Sequence, residues 1–217
     1  MLHSDRRESR QKAGGGRRDT RDAILACAEE LLQRRGFGGF AYQHIAVQLG
    51  IRNAAIHYHF PSKEDLGTAL VQRFRSRFHA WAQTLPATGD AWLRLQAYFA
   101  LHLDYLQSPD DGESRLCPGG ALAAEFCALP EAMRLQVRLL MQDIHRWLAD
   151  TLDQGRRDGV VQFNGDALDK AVELSAALQG GLQLARLLGV RRFHRLLDQF
   201  ALELNPARFA RERGPLP

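Results

Sequence analysis

The chain is poor in cysteine and has no long uninterrupted run of apolar residues. Its 217 residues include three cysteines, at positions 27, 117 and 127, which are too few and odd in number for a disulfide framework. Charged or polar residues break every apolar stretch before the roughly 18 to 20 residues that a transmembrane helix needs. The first 20 residues also lack the apolar segment of a secretory signal. We therefore expect a cytoplasmic protein with free thiols and no membrane association.

Motifs for metal, phosphate or nucleophilic chemistry are also missing. No cysteine or acid lies at zinc-finger spacing from His57 and His59, and two residues apart on a helix these side chains diverge by about 200 degrees. A helical enzyme that uses His102, Glu125 and Cys117 is the alternative from another class, but no nucleophile and base motif joins these residues. We expect no metal, no cofactor and no catalytic residue.

Positive charge is concentrated at the start of the chain. Six basic and only two acidic residues lie within the first 18 positions, interleaved with three consecutive glycines at 14–16. This composition is typical of a flexible basic arm, and residues 1–19 are interpreted as a disordered one. A duplex phosphate backbone suits such an arm as a partner, while a solvated terminus explains the composition equally well.

Helical periodicity begins directly after this arm. Apolar residues recur at three- and four-residue steps from Thr20, the predicted N-cap, to Gly36, and short helices are predicted at 42–49 and about 53–59. Ser62 and Asp65 form an acidic variant of a capping box at the start of a long fourth helix.

The remainder of the chain has the same character. Helical periods run through 89–107, 118–128, 131–154, 167–188 and 191–204. No convincing strand appears, so an all-α protein is predicted. A three-helix head occupies residues 20–66, a long helix joins it to a helical body over 67–205, and residues 206–217 form a tail.

The segment HIAVQLGIRNAAIHYHF, residues 44–60, has the pattern of a helix-turn-helix unit. Ile45, Leu49 and Ile56 are core positions, and Gly50 suits a left-handed helix cap. In such a unit the second helix enters the major groove of DNA, with its N-terminal residues toward the bases. The predicted base-reading residues are Arg52, Asn53 and Ala55, and the predicted phosphate ligands are Gln43, His57, Tyr58 and Lys63.

The longer stretch TRDAILACAEELLQRRGFGGFAYQHIAVQLGIRNAAIHYHFPSKEDL, residues 20–66, resembles the DNA-binding domain of the TetR/AcrR family of transcriptional regulators. The Gly-aromatic step at 36 and 37, Ile45-Ala46, Gly50 and the run HFPSKEDL carry the resemblance. It implies a homodimeric repressor on a pseudo-palindromic operator of double-stranded DNA, released by an effector that binds the C-terminal bundle. The family usually has Thr or Ser where Phe40 and Ala41 stand, so its phosphate contact there is not carried over. An adaptor that keeps the fold without binding an operator is a further alternative.

An aromatic helix face is the first candidate for effector binding. Tyr98, Phe99, His102 and Tyr105 recur at three- and four-residue steps and share one side of their helix. Aromatic rings around one titratable nitrogen suit a small organic ligand. The alternative for His102 is a core histidine hydrogen-bonded inside the bundle.

The stretch RLCPGGALAAEFCALP, residues 115–130, is the second candidate. Pro118 suits the first position of a helix, so Cys117 is the predicted N-cap, where free amides, the helix dipole and Arg115 favour a thiolate. A lowered pKa makes this thiol a sensor of electrophiles or oxidants, and Glu125 is included in the site. The stretch resembles the C-terminal domain of the electrophile-responsive TetR-type repressors that control N-ethylmaleimide reductase. The alternative is that Cys117 is a small buried hydrophobe, as predicted for Cys127 and Cys27.

The last two long helices are the predicted dimer interface. Ala176, Gly180 and Gly181 allow close approach of backbones, and the last helix has an apolar side formed by Phe193, Leu196, Leu197, Phe200 and Leu204. Pairing across a twofold axis gives a four-helix interface and places the two heads on the two half-sites of an operator.

Overall fold

The computed structural model describes residues 5–86, 90–106 and 115–208, with side chains described from residue 19 onward. Within these ranges the chain is helical and contains no strand, which confirms the predicted all-α class. The α-helices are α1 (Asp5–Arg35), α2 (Tyr42–Leu49), α3 (Asn53–His59), α4 (Lys63–Thr84), α5 (Ala91–Asp104), α6 (Pro118–Ala124), α7 (Glu131–Arg157), α8 (Ala167–Leu188) and α9 (Arg191–Leu204). A 3-10 turn, Phe126–Ala128, follows α6. No helix in the described ranges is long and apolar enough to cross a membrane.

Local sequence signals explain the ends of the head helices. Gly50 closes α2 in the left-handed region, at φ 63° and ψ 30°. The Ser62 hydroxyl accepts the Asp65 N–H at 3.1 Å, while the Asp65 carboxylate accepts the Ser62 N–H at 3.0 Å. The predicted turn and capping box are therefore confirmed.

The start of α1 differs from the prediction. The helix begins at Asp5, so Thr20 lies inside it instead of capping it, and the backbone of residues 5–19 is helical instead of disordered. The arginine, glutamine, lysine and alanine residues around the three glycines favour helix, and extending an existing helix costs far less than starting one. The basic arm is thus continuous in backbone with the head.

The core of the head extends into the body. Ile24, Ile45 and Ile56 are fully buried in a cluster that also contains Leu122 of α6 and Met133 of α7. A second cluster fills the space between α5, α7, α8 and α9. The head is therefore packed directly against α6 and α7, in addition to its covalent link through α4.

The packing of α9 corrects the predicted dimer face. Phe193, Phe200 and Leu204 are buried inside the protomer, and a Cβ on Gly181 would meet Leu196 and Phe193. These residues pack α9 onto α8, because both helices need a common core in the monomer. A ridge of exposed apolar or small residues at four-residue steps instead winds along the surface of α8, here called the α8 stripe: Leu168, Val172, Ala176, Gly180, Leu184 and Leu188.

Candidate DNA-binding surface and sensing cavity

The outer face of α3 carries most of the predicted DNA-contacting residues. Arg52 is the N-cap of the helix, and fully buried Ile56 anchors the opposite side in the core. Gln43, Arg52, Asn53, His57 and Tyr58 are exposed, and Ala55 is half-buried. This arrangement places polar side chains and the helix N-terminus on the same outer surface, as major-groove reading requires.

Tyr42 holds α3 in position against α2. Its single hydroxyl proton is shared between the carbonyl oxygens of Phe60 at 2.8 Å and Ser62 at 2.5 Å, and its ring lies 4.8 Å from that of His57. Burial and the nearby Asp65 carboxylate raise the pKa of Tyr42 to about 12, so the hydroxyl keeps its proton. The end of α3 and the start of α4 are therefore tied to one side chain.

His44 supplies the N3 half of a capping box at the start of α2. Ala41 occupies the N-cap and has no side-chain acceptor, but the Nδ1 atom of His44 accepts its backbone N–H at 2.8 Å. The sequence-based reading missed this interaction. The signal available was the three-residue spacing of a capping box, with histidine in the place of Glu or Gln.

Lys63, a predicted phosphate ligand, is half-buried and contacts the turn between α1 and α2. Its Nζ atom donates to the carbonyl oxygens of Phe37 at 2.7 Å and Phe40 at 2.5 Å, and it sits over both phenyl rings. Burial lowers the pKa of the ammonium group, and the Glu125 carboxylate opposes that shift. The turn between α1 and α2 exposes carbonyls that need donors, so Lys63 has a structural role in the head, and its phosphate contact stays a prediction.

A cavity of about 460 Å³ opens in the body between α1, α4, α5, α6, α7 and α8. Five aromatic side chains form part of its walls: Phe74, Phe78, Trp81, Tyr98 and Tyr105. Polar residues enter from several helices: Glu29, Gln33, Arg77, Asp104, Arg115 and Gln179. A cavity that combines aromatic rings with polar groups is suited to binding a small organic molecule.

The α5 face is divided between the cavity and the core. Tyr98, His102 and Tyr105 line the cavity in edge-to-face contact, with successive ring centroids 4.8 and 6.3 Å apart. Phe99 points instead into the core, where its ring stacks on Phe200. Three of the four predicted residues thus come together around the same space.

His102 is neutral in this environment. Burial lowers its pKa to about 4, and Nδ1 lies 3.0 Å from the Tyr98 carbonyl oxygen. Because a carbonyl only accepts, Nδ1 carries the proton and Nε2 is the acceptor atom of the ring. The cavity therefore offers a hydrogen-bond acceptor at this position and no positive charge.

Comparison with known proteins identifies the architecture. The family model described as bacterial regulatory proteins, tetR family, matches residues 24–70, and that of the tetracyclin repressor-like C-terminal domain matches residues 91–200, about half of the chain. The chain belongs to the TetR family.

Individual TetR-family relatives match over most of their length. The HTH-type transcriptional repressor NemR of Escherichia coli strain K12 is 29% identical over 164 residues, which cover 75% of this chain and 81% of the relative. The crystal structure of E. coli NemR in its reduced form superposes with a TM-score of 0.76 at 25% identity, covering 87% of this chain and 99% of the other. A TetR-family regulator from Agrobacterium tumefaciens also gives 0.76, at 30% identity over 85% and 98% of the two chains.

Cys117 lies at the N-cap of α6 of this TetR-family chain, as predicted, but its pKa shifts in the opposite direction. Burial raises the pKa of the thiol, and hydrogen bonds from the Gly120 and Gly119 amides only partly offset that shift. Loss of solvation outweighs the amides and the dipole of a seven-residue helix. The thiol lines the cavity and is protonated at neutral pH.

The other two cysteines divide between the core and the surface. Cys27 is buried, as predicted, and burial together with Glu30 raises its pKa to about 11. Cys127 is exposed, which corrects the predicted core position. The 3-10 turn after α6 breaks the helical period and rotates this side chain outward.

Glu125 is absent from the cavity wall, which corrects its predicted place in the sensing site. It caps the end of α6, and its carboxylate accepts the backbone N–H of Gly38 in the head at 2.6 Å. The cavity residues Glu29, Arg77, Trp81 and Gln179 were not foreseen. They come from three helices, α1, α4 and α8, that lie far apart in sequence, and no local pattern indicates that these helices meet.

Proposed function

We propose that this TetR-family protein is a dimeric transcriptional repressor that leaves a pseudo-palindromic operator when a small apolar or electrophilic molecule enters its cavity or modifies Cys117. The observation that carries the proposal is that the aromatic walls and the Cys117 thiol share one cavity bounded by α4. The name of the relative NemR, a transcriptional repressor, supports the sign of regulation. The relatives found are transcriptional regulators, which supports a non-enzymatic role.

Helix α4 gives a direct route from the cavity to the DNA. Lys63 at its start belongs to the head, while Phe74, Phe78 and Trp81 on its second half line the cavity. An occupant that packs better when α4 is tilted favours that state of the protein. The ligand then lowers the affinity of the protein for its operator by a factor equal to the ratio of the ligand's affinities for the tilted and untilted states. Operator DNA lowers the affinity for the ligand by the same factor.

The chemistry of Cys117 sets a pH dependence for modification. The thiolate adds to the double bond of a maleimide, forming a carbon–sulfur bond, and the adjacent carbon takes a proton from water. Because burial raises the pKa of the thiol above its ordinary range, only a small thiolate fraction reacts at neutral pH. The rate of modification is expected to rise about tenfold per pH unit between pH 6.5 and 8.5.

The test is a footprint on the upstream region of the gene, with and without N-ethylmaleimide. Wild-type protein should protect a pseudo-palindrome, and the reagent should remove the protection. The variant Cys117→Ser should bind equally well and resist release. The exposed Cys127→Ser is the matched control and should be released like wild type.

Two outcomes contradict the proposal in different ways. Release of Cys117→Ser at the wild-type reagent concentration removes the thiol from the mechanism and leaves the cavity. A chain that forms no salt-sensitive complex with the upstream DNA is an adaptor that kept the fold, because binding through phosphates weakens steeply with salt.

A further inference from the structure

The carboxylate of Glu125, in the body, contacts the head. Its Oε2 accepts the Gly38 N–H at 2.6 Å across 87 residues of sequence. Its Oε1 lies so near Gly36 that a Cβ built there would be 1.9 Å away, and Gly36 has a φ of +77°. The turn between α1 and α2 is thus shaped around an anion supplied by the body, through a charge-assisted hydrogen bond.

The same turn is held from the other side by a cation. Lys63, the first residue of α4, donates to the carbonyls of Phe37 and Phe40, which flank Gly38. Glu125 therefore acts on the amide side of the turn and Lys63 on the carbonyl side. The turn leads directly into α2, so its position fixes the helix-turn-helix unit relative to the body.

The opposite end of α6 lies in the cavity. Cys117, Pro118 and Gly119 line it, and the Leu116 N–H donates to the Gln33 carbonyl of α1 at 2.8 Å. Helix α6 has seven residues and is therefore about 10 Å long, too short to bend, so that a displacement at Cys117 reaches Glu125.

We propose that Glu125 is the positioning residue through which the DNA-binding head responds to the state of α6 and of the cavity. The inference rests on the proposed function for what moves α6, but the contact itself joins two parts of one chain. When α6 lies as in this structure, the carboxylate fixes the turn before α2. When Cys117 is modified or the cavity is filled, α6 shifts, the bond to Gly38 is lost and the helix-turn-helix unit is released from its DNA-binding orientation.

Coupling between DNA binding by the head and the position of α6 acts in both directions. The effect of operator DNA on α6 can therefore be measured without an effector. Amide hydrogen exchange of the peptide spanning α6 is followed with and without the operator duplex found by footprinting. In wild type the duplex should slow exchange in α6 about tenfold. In Glu125→Ala the slowing should fall below about twofold, and Glu125→Gln, which keeps one acceptor but no charge, should lie between them.

The exposed Glu131→Gln, at the first residue of α7, is the matched control and should behave as wild type. A purely structural role for Glu125 would lower the melting temperature and leave the DNA-dependent slowing intact. The proposal is overturned if Glu125→Ala and Glu125→Gln both keep the wild-type slowing, or if operator DNA leaves α6 exchange unchanged in wild type.

A second arm separates this inference from the proposed function. Operator affinity is measured before and after N-ethylmaleimide, with the rate of Cys117 modification recorded. Wild type should lose affinity at least about tenfold and Glu125→Ala less than about twofold, at equal modification. If wild type keeps its affinity while the exchange results are as expected, the thiol part of the proposed function fails and the Glu125 coupling stands.

Discussion

Lys63 is predicted to bind a DNA phosphate, and in the structure its side chain stabilises the head. Its ammonium group satisfies two carbonyls that would otherwise lack donors, and the Nζ atom lies 4.5 and 4.8 Å from the centroids of the Phe37 and Phe40 rings. The substitution Lys63→Met keeps the apolar stem and removes both hydrogen bonds. We expect it to lower the free energy of unfolding by about 1 to 3 kcal/mol, measured by urea denaturation at fixed protein concentration.

DNA binding distinguishes this role from phosphate anchoring. A lysine that neutralises phosphate contributes about one unit to the salt dependence of binding, and Lys63→Met should leave that slope unchanged on random DNA. Arg52→Ala is the comparison, because its exposed side chain should read bases and its loss should cost about 1 to 3 kcal/mol on the operator alone. A reduced salt slope in Lys63→Met, at equal folded fraction, would restore the phosphate role.

His102 gives the body a pH-dependent stability whose sign follows from its surroundings. Burial lowers its pKa to about 4, while the unfolded chain has the ordinary value of 6.5. Between these values the unfolded state binds more protons, so stability falls as pH drops from 6.5 to 4, by about 3 kcal/mol in total. Chemical denaturation of His102→Gln at pH 7 and pH 5 should show a smaller loss than wild type.

His194→Gln is the control, because His194 is exposed. His145, whose pKa burial also lowers, adds to the same slope, so His102→Gln reduces the dependence without removing it. An unchanged difference between pH 7 and pH 5 would mean that His102 is not buried in neutral form.

At the scale of helices, local sequence signals predicted where most helices begin and end, but not which helices pack against each other. The bounds of α2, α3, α8 and α9 follow from apolar period, Gly50 and Gly189, all of which act within a few residues. The start of α1 was misplaced because Thr20 is a good N-cap only if nothing helical precedes it. The pattern of α9 indicated an apolar side correctly but not which helix that side would meet.

The candidate site shows the same difference between features set by local sequence and features set by long-range packing. The α3 surface is local, so reading the helix-turn-helix pattern was enough to place Arg52, Asn53 and Tyr58 on its outside. The cavity and the Glu125 contact depend on residues up to 150 positions apart, such as Glu29 and Gln179. The thiol pKa depends on burial by those same distant groups, which is why the N-cap rule alone gave the wrong direction for Cys117.

For the whole molecule, function as a repressor requires two heads at a fixed separation. The α8 stripe offers a surface for this, since an exposed apolar row with Gly180 at its centre permits close approach of a second copy, and a Cβ on Gly180 would meet nothing within 4 Å in the protomer. A homodimer built there has an interface that is the same on both copies.

Leu184→Glu tests the surface. Leu184 is 52% exposed in the protomer, so a carboxylate there is solvated in the monomer but would lie unpaired against its symmetry mate in a dimer. We expect sedimentation velocity to show a monomer at micromolar concentration and operator affinity to fall at least about tenfold, because the second head then binds independently. Leu135→Glu is the matched control, as Leu135 on α7 is also 52% exposed. If both variants stay dimeric, the two copies pair elsewhere, whereas loss of the dimer in both would indicate a wider interface that includes α7.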